Sequence, residues 1–250
     1  MGEGVGRSAT LVGVTGLSTR ARALWESLAG APVSFSARPM VVVAPESWFC
    51  PPSWVGIVVI GETAAITAPN ADIARLVRAA VAPLPVSVLT EVSVLRTVLP
   101  VVEAMGPAAL SYLDADDFRP APARHTVEML RPGAEELREL LASVGAKDAN
   151  ECGLDEITSA AFVVRDGSRL VAAAGFCEWP GAVAHLNVLT ATDARGRGLA
   201  REVAAAAVSR ALDDGLLPQW RARPEPSRRL ARTLGFRELG ALLSIRVEPP

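Results

Sequence analysis

A chain of 250 residues, half of them hydrophobic and 21% charged, can build one large core or two smaller ones. Its formal net charge of −2 excludes the overall basic excess that nucleic-acid binding draws on. Its three cysteines and two histidines exclude any ordinary zinc-site spacing.

Taken in order, Met1–Ser8 reads as a flexible start without the apolar core of a signal peptide. Gly6 breaks the myristoylation pattern. Leu17, Ala21, Leu24, Trp25 and Leu28 recur at helical spacing, and Gly30 can end that helix. Met40–Ala44, Val55–Ile60 and Thr63–Thr67 are short strands, the last two forming a hairpin around Gly61. Asn70 is placed to cap a helix over Ala71–Val81, which Pro83 and Pro85 close. A further helix is expected over Val92–Met105, interrupted at Pro100. Asp114–Asp117 forms a polar turn, and Phe118–Pro122 is an extended linker, which sets a domain boundary at 118.

The second half reads strand (His125–Leu130), helix (Gly133–Val144) and a second helix or loop (Ala149–Glu156). Three strands follow, Ser159–Arg165, Leu170–Cys177 and Ala182–Thr190, turned at Asp166-Gly167 and Pro180-Gly181. A helix from Leu199 to Leu212, a strand over Leu216–Arg221, a short helix over Glu225–Leu234 and a strand over Phe236–Val247 with a break at Gly240 complete the pattern. Mostly antiparallel strands flanked by helices make an α+β domain over residues 119–250, preceded by a smaller α/β domain over residues 1–118. No run of about 18 apolar residues exists, so no membrane partner is expected. Cys50, Cys152 and Cys177 are expected to be reduced thiols in a cytoplasmic protein, and no metal site is expected.

The most informative stretch is Arg195-Gly196-Arg197-Gly198-Leu199-Ala200, between a strand and a helix. Glycines let a ligand approach the backbone, and the first N–H groups of a helix have no partners within it. These groups, the helix dipole and two arginines together suit a phosphate or pyrophosphate. Neither the dinucleotide fingerprint nor the P-loop fits, since Arg201 follows where a glycine is required and no Gly-Lys-Ser/Thr is present.

Arg195-x-x-Gly198-x-Ala200 after a strand, with Leu234-Gly235-Phe236 downstream, resembles the GNAT superfamily of acetyl-CoA-dependent N-acetyltransferases. The resemblance covers roughly Thr126 to Val247 and is best to the zwittermicin-resistance-type subfamily. It implies a GNAT fold in the second half; the strand–hairpin–helix order of the first half, without a phosphate loop, suggests a degenerate GNAT-like repeat there. It further implies acetyl-CoA as cosubstrate, with the pantetheine arm on Val188, Leu189 and Thr190 and the pyrophosphate on Arg195, Gly196, Arg197, Gly198, Leu199 and Ala200. The acceptor would be an amine of a small molecule or a protein, and the assembly a monomer or homodimer. Glu178 and His185, near the ends of neighbouring strands, are the candidate bases.

The position matching the family's tyrosine acid is Ala231, and the position of its accompanying asparagine is Pro224. Ser227, one turn earlier, is the remaining candidate to serve the leaving thiolate. General acid help is worth roughly 10²–10⁴-fold, so loss of the tyrosine slows transfer without abolishing it. A non-catalytic acyl-CoA sensor is the alternative that these departures favour.

Overall fold

The computed structural model describes residues 5–122 and 124–248. Part of the expected flexible start, residues 1–4, lies outside the described residues; from Val5 the chain is helical. Helix α1 (Val5–Leu28) buries Leu17, Ala21, Leu24, Trp25 and Leu28 at the expected intervals. Gly30, at φ +72°, ends the stripe in a conformation that glycine alone adopts readily. Strands β1 (Met40–Val43), β2 (Val55–Ile60) and β3 (Thr63–Ala68) follow. Asn70 caps α2 (Ala71–Val81), its Oδ1 accepting from the Ile73 N–H at 2.9 Å.

Helix α3 (Val92–Val98) stops short of the expected Met105. Pro100 cannot continue a helix, and Val101–Tyr112 forms strand β4 instead.

Beyond it come β5 (Glu128–Leu130), α4 (Glu135–Ala142), α5 (Ala146–Cys152), β6 (Ala161–Asp166), β7 (Arg169–Trp179) and β8 (Val183–Thr190). Then follow α6 (Leu199–Asp213), β9 (Leu217–Ala222), α7 (Glu225–Thr233) and β10 (Arg237–Val247). The expected break at Gly240 is absent. Gly240 pairs directly with Ile60, and a Cβ there would stand 1.8 Å from the Val59 carbonyl oxygen, so glycine serves close backbone approach.

The chain divides into two compact units, one built from the described residues up to Leu110 and from Glu238 onward, the other from Ser111–Arg237. This differs from a single boundary at 118, because β10 pairs with β2, a long-range contact that local composition does not report. In the first unit the strand order is β1-β3-β2-β10-β4, antiparallel at β3-β2 and β2-β10 and parallel at β1-β3. Ile57, Ile66, Val77, Leu89, Leu95 and Leu243 lie at the centre of its core.

In the second unit the order is β9-β8-β7-β6-β5, antiparallel except for β8-β9. Helix α6 buries Leu199, Val203, Ala207 and Ala211, a stripe at four-residue spacing that packs with β7 and β8. Burial of its two larger members stabilises by about 1.5–3 kcal/mol each. Small alanines along the rest of the stripe let the helix lie close to the sheet. Both units are α+β.

Candidate active site

The stretch between β8 and α6 forms a tight loop. Gly196 and Gly198 sit at φ +80° and +84°, and nothing lies within 4 Å of a Cβ built on either. Gly198 is the N-cap of α6, and no side chain caps that end. The first N–H groups of a 15-residue helix are therefore left for a ligand or water. The arginines do not converge on this spot. Arg195 pairs with Asp148 at 2.6 Å and donates through Nε to the Thr190 carbonyl at 3.4 Å. Arg197 pairs with Asp166 at 3.1 Å. Both pairs are half-exposed, worth under about 1 kcal/mol each, and easily exchanged for a more highly charged anion.

Beside the loop the sheet opens. Strands β8 and β9 pair in parallel only at Val183–Leu217, Ala184–Pro218 and His185–Gln219. Both strands continue, β8 to Thr190 and β9 to Ala222, without further pairing to each other. Backbone groups alternate sides along a strand. The Ala191 N–H donates to the Val171 carbonyl on the β7 side, and the Ala182 carbonyl accepts from Leu217 on the β9 side. Leu186, Val188 and Thr190 therefore turn their N–H and C=O toward the gap. Leu189 instead turns its backbone toward β7, where it pairs with Ala173.

Alternation also separates the candidate bases. Cys177 pairs with His185, and Glu178 with Ala184, so His185 and Glu178 project from opposite faces of the sheet. Glu178 is exposed, and its backbone N–H donates to Thr158 Oγ1 at 3.0 Å. His185 is 8% exposed and stacks on Trp179 with ring centroids 4.2 Å apart. Its Nδ1–H donates to Gln219 Oε1, which leaves Nε2 as the unprotonated nitrogen. Burial, then the nearby Arg221 charge, pushes its pKa down to about 3 against the opposing pull of the Gln219 bond. His185 is thus a neutral imidazole with one free lone pair.

Sequence reasoning missed Gln219, Arg221 and the part played by Trp179. Gln219 and Arg221 share the face of His185 because they are two apart on β9, and the Arg221 guanidinium lies 5.8 Å from the Trp179 ring centroid. Only the period-two pattern of polar residues at the end of an apolar strand could have signalled them.

Ser227 lies on α7, and its Oγ accepts the Trp220 indole N–H at 3.0 Å. Accepting that bond leaves the hydroxyl proton of Ser227 available. Ala231 is 1% exposed and presents no proton donor. A separate hollow of about 250 Å³ lies under Pro120–Pro122, against Ala205, Ala206 and Ser209 of α6, away from the glycine loop. Among the described residues no cluster of His, Cys, Asp or Glu could hold a metal, and no helix is long and apolar enough to cross a membrane.

Residues 159–242 match the GNAT acetyltransferase family, a span that contains the open strand edge, the loop and α7. No curated protein matches the chain. Among solved structures, the chain is similar to a GNAT-family acetyltransferase from Novosphingobium aromaticivorans, at 22% identity over 58% of this chain and 65% of that one, with a TM-score of 0.44. A GCN5-related N-acetyltransferase from Kribbella flavida matches at 18% identity over 65% of each chain, with a TM-score of 0.49. A tandem GNAT protein from the clavulanic acid biosynthesis pathway matches at 13% identity over 79% of this chain and 66% of that one, with a TM-score of 0.42. The chain spans less than two thirds of the length of the first two structures.

Proposed function

We propose that the Ser111–Arg237 unit is an acetyl-CoA-dependent N-acetyltransferase acting on an amine of a small molecule or protein, by direct attack within a ternary complex. The observation that carries this reading is that β8–β9 pairing ends at His185–Gln219 while both strands continue, directly beside an uncapped, glycine-lined helix start. The open edge offers backbone donors and acceptors to an amide-bearing arm, and the loop offers N–H groups to phosphates. These residues fit acetyl-CoA. Acetyl-CoA supplies the activated acyl carbonyl as a thioester. Val188 and Thr190 bind the arm through their backbone, while Leu189 packs its side chain into the core. Gly196, Arg197, Gly198, Leu199 and Ala200 receive the pyrophosphate, and Arg195 and Arg197 turn toward it from their surface carboxylates.

On the acceptor side, Gln219 fixes the His185 tautomer so that Nε2 accepts a hydrogen bond from the amine. A pKa near 3 makes His185 an acceptor that orients the amine, whose proton leaves to water once the C–N bond has formed. Glu178, exposed on the opposite face, lies outside this contact and acts at most as a relay to solvent. Water serves the departing thiolate, since Ala231 has no proton and the Ser227 Oγ is held in place by the Trp220 indole N–H. Placement in the zwittermicin-resistance-type subfamily, with the first unit a degenerate GNAT-like half, belongs to the same reading and rests on the loop motif and the absence of such a loop in residues 5–110.

A second reading, a non-catalytic acyl-CoA-binding regulator, is favoured by the buried Ala231. Amide hydrogen exchange with and without acetyl-CoA tests the site for both. Protection of the Val188, Thr190 and 198–200 amides is expected; protection elsewhere, with these unchanged, refutes it.

A further inference from the structure

Within the reading above, the acceptor amine itself has a chemical class that the residues around His185 can name. Arg221, Trp179 and His185 form a stack on one face of the sheet, at the point where β9 leaves β8. Arg221 is solvent-exposed, and no carboxylate lies within ion-pair distance of it among the described residues. The next arginine, Arg223, just past the end of β9, is already paired with Glu151 at 3.2 Å. Glu156 acts on it through space, without an ion pair.

Although exposed to solvent, Arg221 is crowded by protein. Burial and then Arg223 weigh against its charge, and Glu156 offsets them only in part. Gln219 Nε2 is buried beside it with no hydrogen-bond partner. The neighbourhood is therefore rich in donors, the guanidinium and the Gln219 amide, and short of acceptors, His185 Nε2 being the one in the stack.

We infer that the acceptor is a small amine that also carries a carboxylate, with the carboxylate seated on Arg221 and the amine turned toward His185 Nε2. A carboxylate supplies the acceptor oxygens this face lacks and meets the guanidinium in its preferred planar, two-pronged geometry. The flat Trp179 ring holds the guanidinium from behind, as cation–π contacts within about 6 Å do. Neutralising Arg221 also removes one of the two causes that depress His185, so a bound carboxylate makes the imidazole a better acceptor for the amine proton. A plain alkylamine gains neither contact and leaves Arg221 unopposed.

The test uses the purified full chain loaded with CoA and a panel of amino acids, each matched with its own carboxamide. Binding is read by calorimetry, and kcat/KM with acetyl-CoA is read by thiol release. The carboxylates should be favoured over their amides by about 10- to 100-fold, the worth of one charge-assisted contact. Arg221→Gln should bring that ratio close to one, and Arg221→Lys should keep part of it. Equal binding of acid and amide by the wild type, no binding of any panel member, or a ratio that survives Arg221→Gln would each overturn the inference.

Failure of the transferase reading looks different. In that case no amine is acetylated, while the Arg221-dependent preference persists in binding. Acetylation without any carboxylate preference has the opposite meaning: the transferase stands and the subsite falls.

Discussion

Gly198 is the position at which backbone conformation and ligand approach are most cleanly separated. At φ +84° any L-residue is strained, at a cost of about 1–2 kcal/mol. No atom of the protein lies within 4 Å of a Cβ built there, so Gly198→Ala adds no steric penalty within the protein. The methyl group instead occupies the space through which a phosphate must approach the start of α6. Loss of one or two charge-assisted N–H contacts, each worth about 1.5–3 kcal/mol, weakens acetyl-CoA binding by at least about 10-fold for Gly198→Ala. Gly198→Glu, which adds a like charge, weakens it further. Gly167, in the β6–β7 turn at φ +61° and also with open space around its Cβ, is the control. Gly167→Ala carries the same kind of backbone cost and should leave acetyl-CoA affinity alone. Thermal unfolding shows that each variant is folded, and calorimetric titration reads the affinity. A folded Gly198→Glu protein that binds acetyl-CoA as tightly as the wild type would refute the assignment of the loop.

Ser227→Ala strands the largely buried Trp220 indole N–H and should cost about 1–3 kcal/mol of stability, with kcat changed by less than 10-fold if water serves the thiolate. A kcat drop of about 10²-fold at unchanged CoA affinity would instead assign the acid to Ser227. Gly240→Ala drives a Cβ into the Val59 carbonyl and should lower stability by at least about 1–3 kcal/mol through loss of β2–β10 pairing, read by chemical denaturation. His185, with a folded pKa near 3 against an ordinary 6.5, resists protonation in the native state more than in the unfolded one. Its contribution to stability is therefore complete above pH 6.5 and is lost as pH falls from there toward 3. Nitrogen chemical shifts of the His185 ring should accordingly show a neutral imidazole at pH 5, and an imidazolium signal there would refute its assigned environment.

The elements that local chemistry dictates were legible in the sequence. Asn70 caps its helix, Gly61 turns its hairpin, and the strand–glycine–helix order around Arg195–Ala200 appears in the structure as expected. What escaped was decided by partners distant in sequence. Gly240 looked like a break because glycine weakens an isolated strand, yet its missing side chain is what admits the Val59 carbonyl. Residues 101–105 read as the far end of a helix, but the proline and the pairing available to Val101–Tyr112 make them a strand. In the candidate site the loop could be read locally, whereas the acceptor side depends on which face of a sheet each residue occupies. Glu178 and His185 are seven residues apart and both read as candidate bases; register puts them on opposite faces. Arg221 carries no local signal among the other arginines; its place is defined by the Trp179–His185 stack, which only the sheet assembles.

The measurement that bears most directly on the central claim is free thiol release from acetyl-CoA by the purified full chain, with and without amine. Amine-dependent release, with one acetylated product formed per thiol, and its loss in folded Gly198→Glu are the predicted results. Tight acetyl-CoA binding with no amine-dependent release for any acceptor tried would contradict the enzyme and leave an acyl-CoA-binding protein in its place.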